Sequence, residues 1–174
     1  MRIIAIEEHF SDPVYRQKTG ANEARSYYIS SRSEKLGHDI AKEIDDLGES
    51  RLQQMDANGI DVQVLSFNAP IAHGFAADEA IAMAKALNER AGAAVRAHPD
   101  RFAAFAALPM NAPEAAADEL ERCVKDHSFV GAMIHGHSNG RFLDDKSFWP
   151  IFARAEQLGV PIFLHPALPN PDVM

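Results

Sequence analysis

Apolar positions along the chain recur with two periods, and the alternation between them predicts the elements. Ile3-Ile4-Ala5-Ile6 is an unbroken apolar run, the pattern of a strand buried on both faces, and it closes on Glu7-Glu8-His9-Phe10. Residues 11–49 keep no sustained period. They include Asp12-Pro13, Tyr27-Tyr28 and a charged stretch from Glu34 to Asp46, and they predict a long loop with one helix near 39–47, inserted after the first strand. From Ser50 a helix is expected, with Leu52 and Met55 one turn apart and Asn58-Gly59 closing it. Residues 61–67 read as a second strand, ending at Asn68-Ala69-Pro70.

Ile81, Ala84, Leu87, Ala91 and Val95 then recur every three or four positions, predicting a helix over 77–97 that Pro99-Asp100 breaks. Strand three is expected over 102–108, a helix from Pro113 to about Lys125, and strand four over 130–135. His137-Ser138-Asn139-Gly140 is turn-rich. A helix over 146–158, with Ile151, Phe152, Ala155 and Leu158 as its stripe and Gly159 as its cap, leads into a fifth strand ending in His165-Pro166. Close neighbours Phe148, Trp149 and Phe152 are read as packing residues.

Five strand–helix alternations with short returns such as Leu158-Gly159-Val160 require parallel strands joined by right-handed crossovers, in one α/β domain over residues 1–174. A (β/α)₈ barrel and an open doubly wound sheet both satisfy that pattern. No glycine-rich phosphate loop follows the first strand, which weakens the nucleotide-binding version. The polar residues fall at strand ends, which in a barrel is where the site is built.

Composition narrows the function. With 17 Lys and Arg against 25 Asp and Glu, the net charge of −8 disfavours a nucleic-acid groove or a polybasic membrane contact. A single cysteine, Cys123, excludes an internal disulfide and fits a reducing compartment; no transmembrane or secretory run is found, and a cytoplasmic protein is expected.

The chemistry rests on few residues. Side chains two apart on a strand point the same way, so Glu7 and His9 are expected to project together while Glu8 faces elsewhere. A carboxylate and an imidazole suit a divalent cation such as Zn²⁺ or Mn²⁺, and His165 is the candidate third ligand. A strand merely ending in polar residues is the alternative for the first pair, and a core histidine bonded to a carbonyl is the alternative for His165. His135 and Asn68 are candidate substrate contacts; a solvated histidine and ordinary turn chemistry are their alternatives. His73 and His137 lie in loops at the same face, whereas His38, His98 and His127 are read as structural.

Five segments occur in an order that resembles a known family: Ile6-Glu7-Glu8-His9-Phe10, Leu65-Ser66-Phe67-Asn68-Ala69-Pro70, Pro99-Asp100-Arg101-Phe102, Ser138-Asn139-Gly140-Arg141-Phe142-Leu143-Asp144-Asp145 and Leu164-His165-Pro166-Ala167. Together they are similar to the amidohydrolase-2 branch of the amidohydrolase superfamily, in particular its metal-dependent, non-oxidative decarboxylases of the γ-resorcylate and 5-carboxyvanillate type. The resemblance implies a TIM barrel with one divalent metal, zinc or manganese, and no organic cofactor. Its Glu-x-His ligand motif matches Glu7 and His9, and its fifth-strand ligand matches His165. Where the family often carries Asn after strand four this chain has His135, which touches on substrate identity.

The implied substrate is a small hydroxylated aromatic carboxylic acid. Family members are much longer, so the resemblance implies an incomplete barrel: the first five βα units of eight, with the catalytic His and Asp expected beyond Met174. The first and last strands would then be open edges, and a truncated reading frame, a fragment of a longer enzyme, or an assembly such as a homo-oligomer covering them is expected. Two rivals stay open: hydrolysis of a lactone or amide at the same site, and an inactive fragment or half-barrel interaction partner.

Overall fold

The structure, a computed structural model, describes residues 1–19, 31–67, 69, 71 and 75–166. Five strands form one parallel sheet: β1 (Ile4–Phe10), β2 (Val62–Phe67), β3 (Phe102–Ala107), β4 (Gly131–His135) and, after a small antiparallel hairpin of β5 (His137–Ser138) and β6 (Arg141–Phe142), β7 (Ile162–His165). Their order in space, β1-β2-β3-β4-β7, is their order in the chain. A doubly wound sheet reverses direction at a switch point; this one does not, and it is the barrel topology of the two that the sequence allowed.

The two faces of the sheet are covered unequally. Leu65, Phe67, Ala104, Ala106, Ala132 and Ile134 enter a large core with the helices. The alternate residues Val64, Phe105 and Met133, with Ala103 and Phe163 packed against them, form a small separate cluster on the other face. Helices therefore lie on one side only, and the opposite side is the concave interior of a half-barrel.

Its curl can be measured. Strands sit about 4.8 Å apart, so β1 and β7 in a flat five-stranded sheet would be separated by about 19 Å. Instead, side chains at their C-terminal ends touch: His9 Nε2 lies 3.2 Å from His165 Nε2.

The helix layer follows the expected elements closely. Helix α3 (Glu49–Ala57) is followed by Gly59 in a left-handed conformation, α4 spans Ala77–Ala97, α5 Pro113–His127, and a 3₁₀ turn (Lys146–Phe148) opens α6 (Trp149–Leu158), which Gly159 caps at φ 67°. On α4 the buried stripe runs through Ala80, Met83, Ala84, Leu87, Ala91 and Val95, and Ile81 is displaced to its flank. On α6, Ile151 and Ala155 are buried. Phe148 is fully buried, but Trp149 is 55% exposed, with Lys146 Nζ 5.5 Å from its ring centre; packing explains the first and not the second.

The segment over 11–49 is richer than one helix. It contains α1 (Pro13–Thr19), a helical run over 31–36 and α2 (Ile40–Asp45). These pieces are too short to hold by propensity. Polar contacts fix them: Asp12 Oδ1 accepts from the Val14 and Tyr15 amides, Asp39 caps α2, and Arg16 pairs with Asp45. Arg90 of α4 reaches the Ser11 carbonyl and Asp12, tying the segment to the end of β1. No described helix is long and apolar enough to cross a membrane.

Candidate metal site at the strand ends

The path to the site begins with an irregularity in β1. Ala5 pairs with Gln63 and Glu8 with Leu65, so Ile6 and Glu7 together oppose the single residue Val64. This is a β-bulge, and Glu7 occupies its strained position at φ 60°. For a residue with a Cβ that conformation costs about 1–2 kcal/mol. The plain two-residue alternation expected across Glu7 and His9 is interrupted there, and the bulge resets which residues face inward. His9 comes opposite Ser66, which shares its face with Val64 of the concave cluster, whereas Glu8 comes opposite Leu65 of the helix-side core.

Two groups then fix His9. Ser66 is fully buried, and its Oγ lies 2.9 Å from His9 Nδ1. Arg51, 9% exposed at the start of α3, donates to the His9 carbonyl at 2.9 Å, to the Asp46 carbonyl at 2.8 Å and to Gln63 Oε1 at 3.2 Å. Burial pushes the Arg51 guanidinium below its ordinary value, opposed by the charges of Glu8 and Asp46. Burial likewise pushes the Glu8 carboxyl up, opposed by Arg51. Glu8 thus serves the helix side of the sheet.

The other half comes from β4 and β7. His135 and His165 are ladder partners, with ring centres 5.1 Å apart, and His9 and His165 have ring centres at the same 5.1 Å. His165 Nδ1 donates to the Pro166 carbonyl at 2.7 Å, which leaves its Nε2 as a lone pair directed at His9. Beside His135 a small, mostly apolar cleft opens, lined by Phe67, Ala69, Ile71, Leu108, Met110 and Ser138 among others.

Of the residues singled out in the sequence, His9 and His135 are each brought beside His165. Two nitrogens bound to one tetrahedral Zn²⁺ at 2.0–2.1 Å would stand about 3.3 Å apart. The 3.2 Å separation of the two Nε2 atoms fits that geometry, and two bare nitrogens at that distance need a proton or a cation between them. Glu7 is exposed, and among the described residues no three His, Cys, Asp or Glu side chains gather around one point, so its carboxylate does not complete the set in this conformation. Asn68 and His73 lie outside the described residues.

His137 is in the β5–β6 hairpin against Phe142. The remaining histidines are structural, as read from sequence: His38 contacts Glu43, His98 packs edge-on against Phe102, and His127 is buried between Arg96 and Arg122. Cys123 is buried, and burial with the nearby Glu119 charge pushes its thiol far up, which makes it unreactive. Ser66 and Arg51 escaped the sequence reading. Ser66 left a faint signal, as the one hydroxyl in the apolar run Val62-Gln63-Val64-Leu65-Ser66-Phe67.

A parallel half-barrel with an imidazole pair at the C-terminal ends of its outer strands defines a class of α/β-barrel proteins whose sites sit at that face. Residues 9–173 match the amidohydrolase family Amidohydro_2, and the chain belongs to that family. It is 37% identical over 176 residues to γ-resorcylate decarboxylase of Rhizobium sp. (strain MTP-10005), an alignment that covers 97% of this chain and 51% of that enzyme. Among solved structures it is similar to 2,6-dihydroxybenzoate decarboxylase complexed with 2,6-dihydroxybenzoate, with TM-score 0.84 and 34% identity over 99% of this chain and 53% of that one. It is also similar to 5-carboxyvanillate decarboxylase from Novosphingobium aromaticivorans complexed with manganese and 4-hydroxy-3-methoxy-5-nitrobenzoic acid, with TM-score 0.88 and 31% identity over 99% of this chain and 52% of that one. The chain thus spans about half the length of the relatives it matches.

Proposed function

We propose that this chain provides the cation-binding and part of the substrate-binding face of a metal-dependent, non-oxidative decarboxylase acting on a small hydroxylated aromatic acid. The observation that carries this reading is the 3.2 Å approach of His9 and His165 Nε2 across the mouth of the curled sheet. The similarity to γ-resorcylate and 5-carboxyvanillate decarboxylases, and the manganese in one of them, support it.

His9 and His165 would hold the ion, with Glu7 as the third proposed ligand. When bound, a Zn²⁺ or Mn²⁺ ion would supply Lewis-acid stabilisation of negative charge on the substrate's carboxylate and hydroxyl oxygens. His135 stands beside His165 at the apolar cleft, where an imidazole can donate to a carboxylate; Asn68 is proposed as a second substrate contact on its sequence position alone. Decarboxylation requires a proton delivered to the ring carbon, cleavage of the bond to the carboxylate, and departure of carbon dioxide as the ring regains aromaticity. No residue of the 174 is assigned as that proton donor.

Calorimetry with 2,6-dihydroxybenzoate, with and without Mn²⁺, tests the reading. Binding that requires the cation and is lost in His165→Ala is expected. Cation-independent binding, or none in its presence, would overturn it. Ring opening of a lactone without release of carbon dioxide from any aromatic acid would favour the hydrolytic alternative.

A further inference from the structure

We propose that Ser66 is the positioning residue of this site, and that its hydroxyl reverses hydrogen-bond direction with His9 so that His9 can change tautomer when a divalent cation binds. The proposal rests on the reading of His9 and His165 as cation ligands. It follows from the polarity of three consecutive contacts.

The chain of contacts starts at Pro166. A carbonyl only accepts, so His165 Nδ1, 2.7 Å away, carries the hydrogen and His165 Nε2 is a bare lone pair in the neutral ring. His9 Nε2 stands 3.2 Å from that lone pair. With both rings neutral and no cation between them, His9 places its own hydrogen on Nε2 and donates. Its Nδ1 is then an acceptor, and the Ser66 hydroxyl at 2.9 Å donates to it. The result is a single directed run, Ser66 to His9 to His165 to Pro166, in which each contact joins one donor to one acceptor.

A cation shared by the two Nε2 atoms needs both of them bare. The His9 hydrogen must then reside on Nδ1, and the only way to keep the 2.9 Å contact is for Ser66 Oγ to accept. A hydroxyl can do either, whereas a carboxylate or a carbonyl can only accept and an alanine can do neither. His9 stays neutral throughout: one hydrogen leaves Nε2 and one is gained at Nδ1, with no change in net charge. Ser66 is completely buried in β2, so its hydroxyl does not exchange this partner for bulk water. Partners of this kind orient a ligand imidazole and sustain metal affinity.

The test is two-bond ¹H–¹⁵N correlation of the imidazole rings in ¹⁵N-histidine protein, with and without Zn²⁺, which is diamagnetic. In wild-type protein His9 is expected as the Nε2–H tautomer without zinc and as Nδ1–H with it, while His165 is Nδ1–H in both. Ser66→Thr is expected to preserve the exchange, and Ser66→Ala to weaken zinc binding about 10-fold with far-UV circular dichroism unchanged. Zinc that perturbs both rings while His9 keeps one tautomer would overturn the role of Ser66 and leave the metal site standing. Saturating zinc that perturbs neither ring would overturn the metal site itself and this proposal with it. The metal-free wild-type spectrum is decisive without any variant, since Nδ1–H on His9 in that state contradicts the directed run.

Discussion

His9 and His165 lie 156 positions apart in the chain and at opposite edges of the sheet, yet their Nε2 atoms are 3.2 Å apart. Their meeting follows from the curl of five parallel strands, the β1 bulge that turns His9 inward, and the β4–β7 register that sets His135 beside His165. Any change that loosens one of these should be felt at the imidazole pair.

Gly131 is the tightest point of that arrangement. A Cβ at this position would lie 2.3 Å from the Pro161 carbonyl oxygen and 3.2 Å from Pro161 Cγ. Backbone cannot yield as a flexible side chain would, so Gly131→Ala must push β7 off β4, where the Ala132 amide donates to that same carbonyl. A loss of about 1–3 kcal/mol is expected in urea unfolding, the range for overpacking a filled site. Zinc affinity should fall with it, because His165 rides on the displaced strand.

Arg51 holds the other side. Arg51→Met removes the donors to the His9 and Asp46 carbonyls and to Gln63, and leaves the half-buried Glu8 without its opposing charge. A destabilisation on the order of 3 kcal/mol is expected by urea titration at pH 7. The Glu8 carboxyl, already pushed up by burial, should rise further, which ¹³C detection of its carboxyl would register.

Much of this was legible in advance. Helix α4 was readable at both ends, because alanines and single aliphatic residues such as Leu87 and Val95 at helical spacing and a Pro-Asp stop act locally. The cap at Gly159 was readable because a left-handed residue after a helix favours glycine. What escaped depends on neighbours distant in sequence. Ile81 yields its place on the buried stripe to Ala80 and Met83, since the surface that receives α4 sets the rotation of the stripe. The short helices over 11–49 have no apolar period and stand on Arg16, Arg90 and Asp12. The bulge at Glu7 is invisible because nothing about a glutamate announces a positive φ. At the site, residue types and strand ends could be read, but the burial of Arg51 and Ser66 could not.

Asn88 clamps the mouth of β3 in a way that can be tested by stability alone. Its buried amide donates to the Ala107 carbonyl and to Glu119, and its oxygen accepts from the Ala107 amide. Asn88→Leu strips the Ala107 amide and carbonyl of their side-chain partner and Glu119 of one donor, while Glu119 keeps Arg122, and a cost of about 2–3 kcal/mol is expected in chemical unfolding. Asn88→Asp should recover only the bond from the Ala107 amide and set a second carboxylate against Glu119.

Glu119 gives the protein a defined acid sensitivity. Burial pushes its carboxyl up, but hydrogen bonds from Arg122 and Asn88 outweigh burial together, and the net direction is below the ordinary value of 4.5. A carboxyl held low in the folded state contributes stability above its unfolded value and loses it as pH falls through the folded one. Unfolding free energy should therefore decline as pH drops below about 4.5. Glu119→Gln should flatten that decline, as seen in urea titrations at a series of pH values.

The most direct measurement is anomalous diffraction from crystals grown with Zn²⁺. The expected result is one peak within about 2.0–2.1 Å of both His9 and His165 Nε2, with the Glu7 carboxylate drawn toward it. A peak bound elsewhere, or none near these two nitrogens at full occupancy of zinc in solution, contradicts a metal centre at the mouth of this half-barrel.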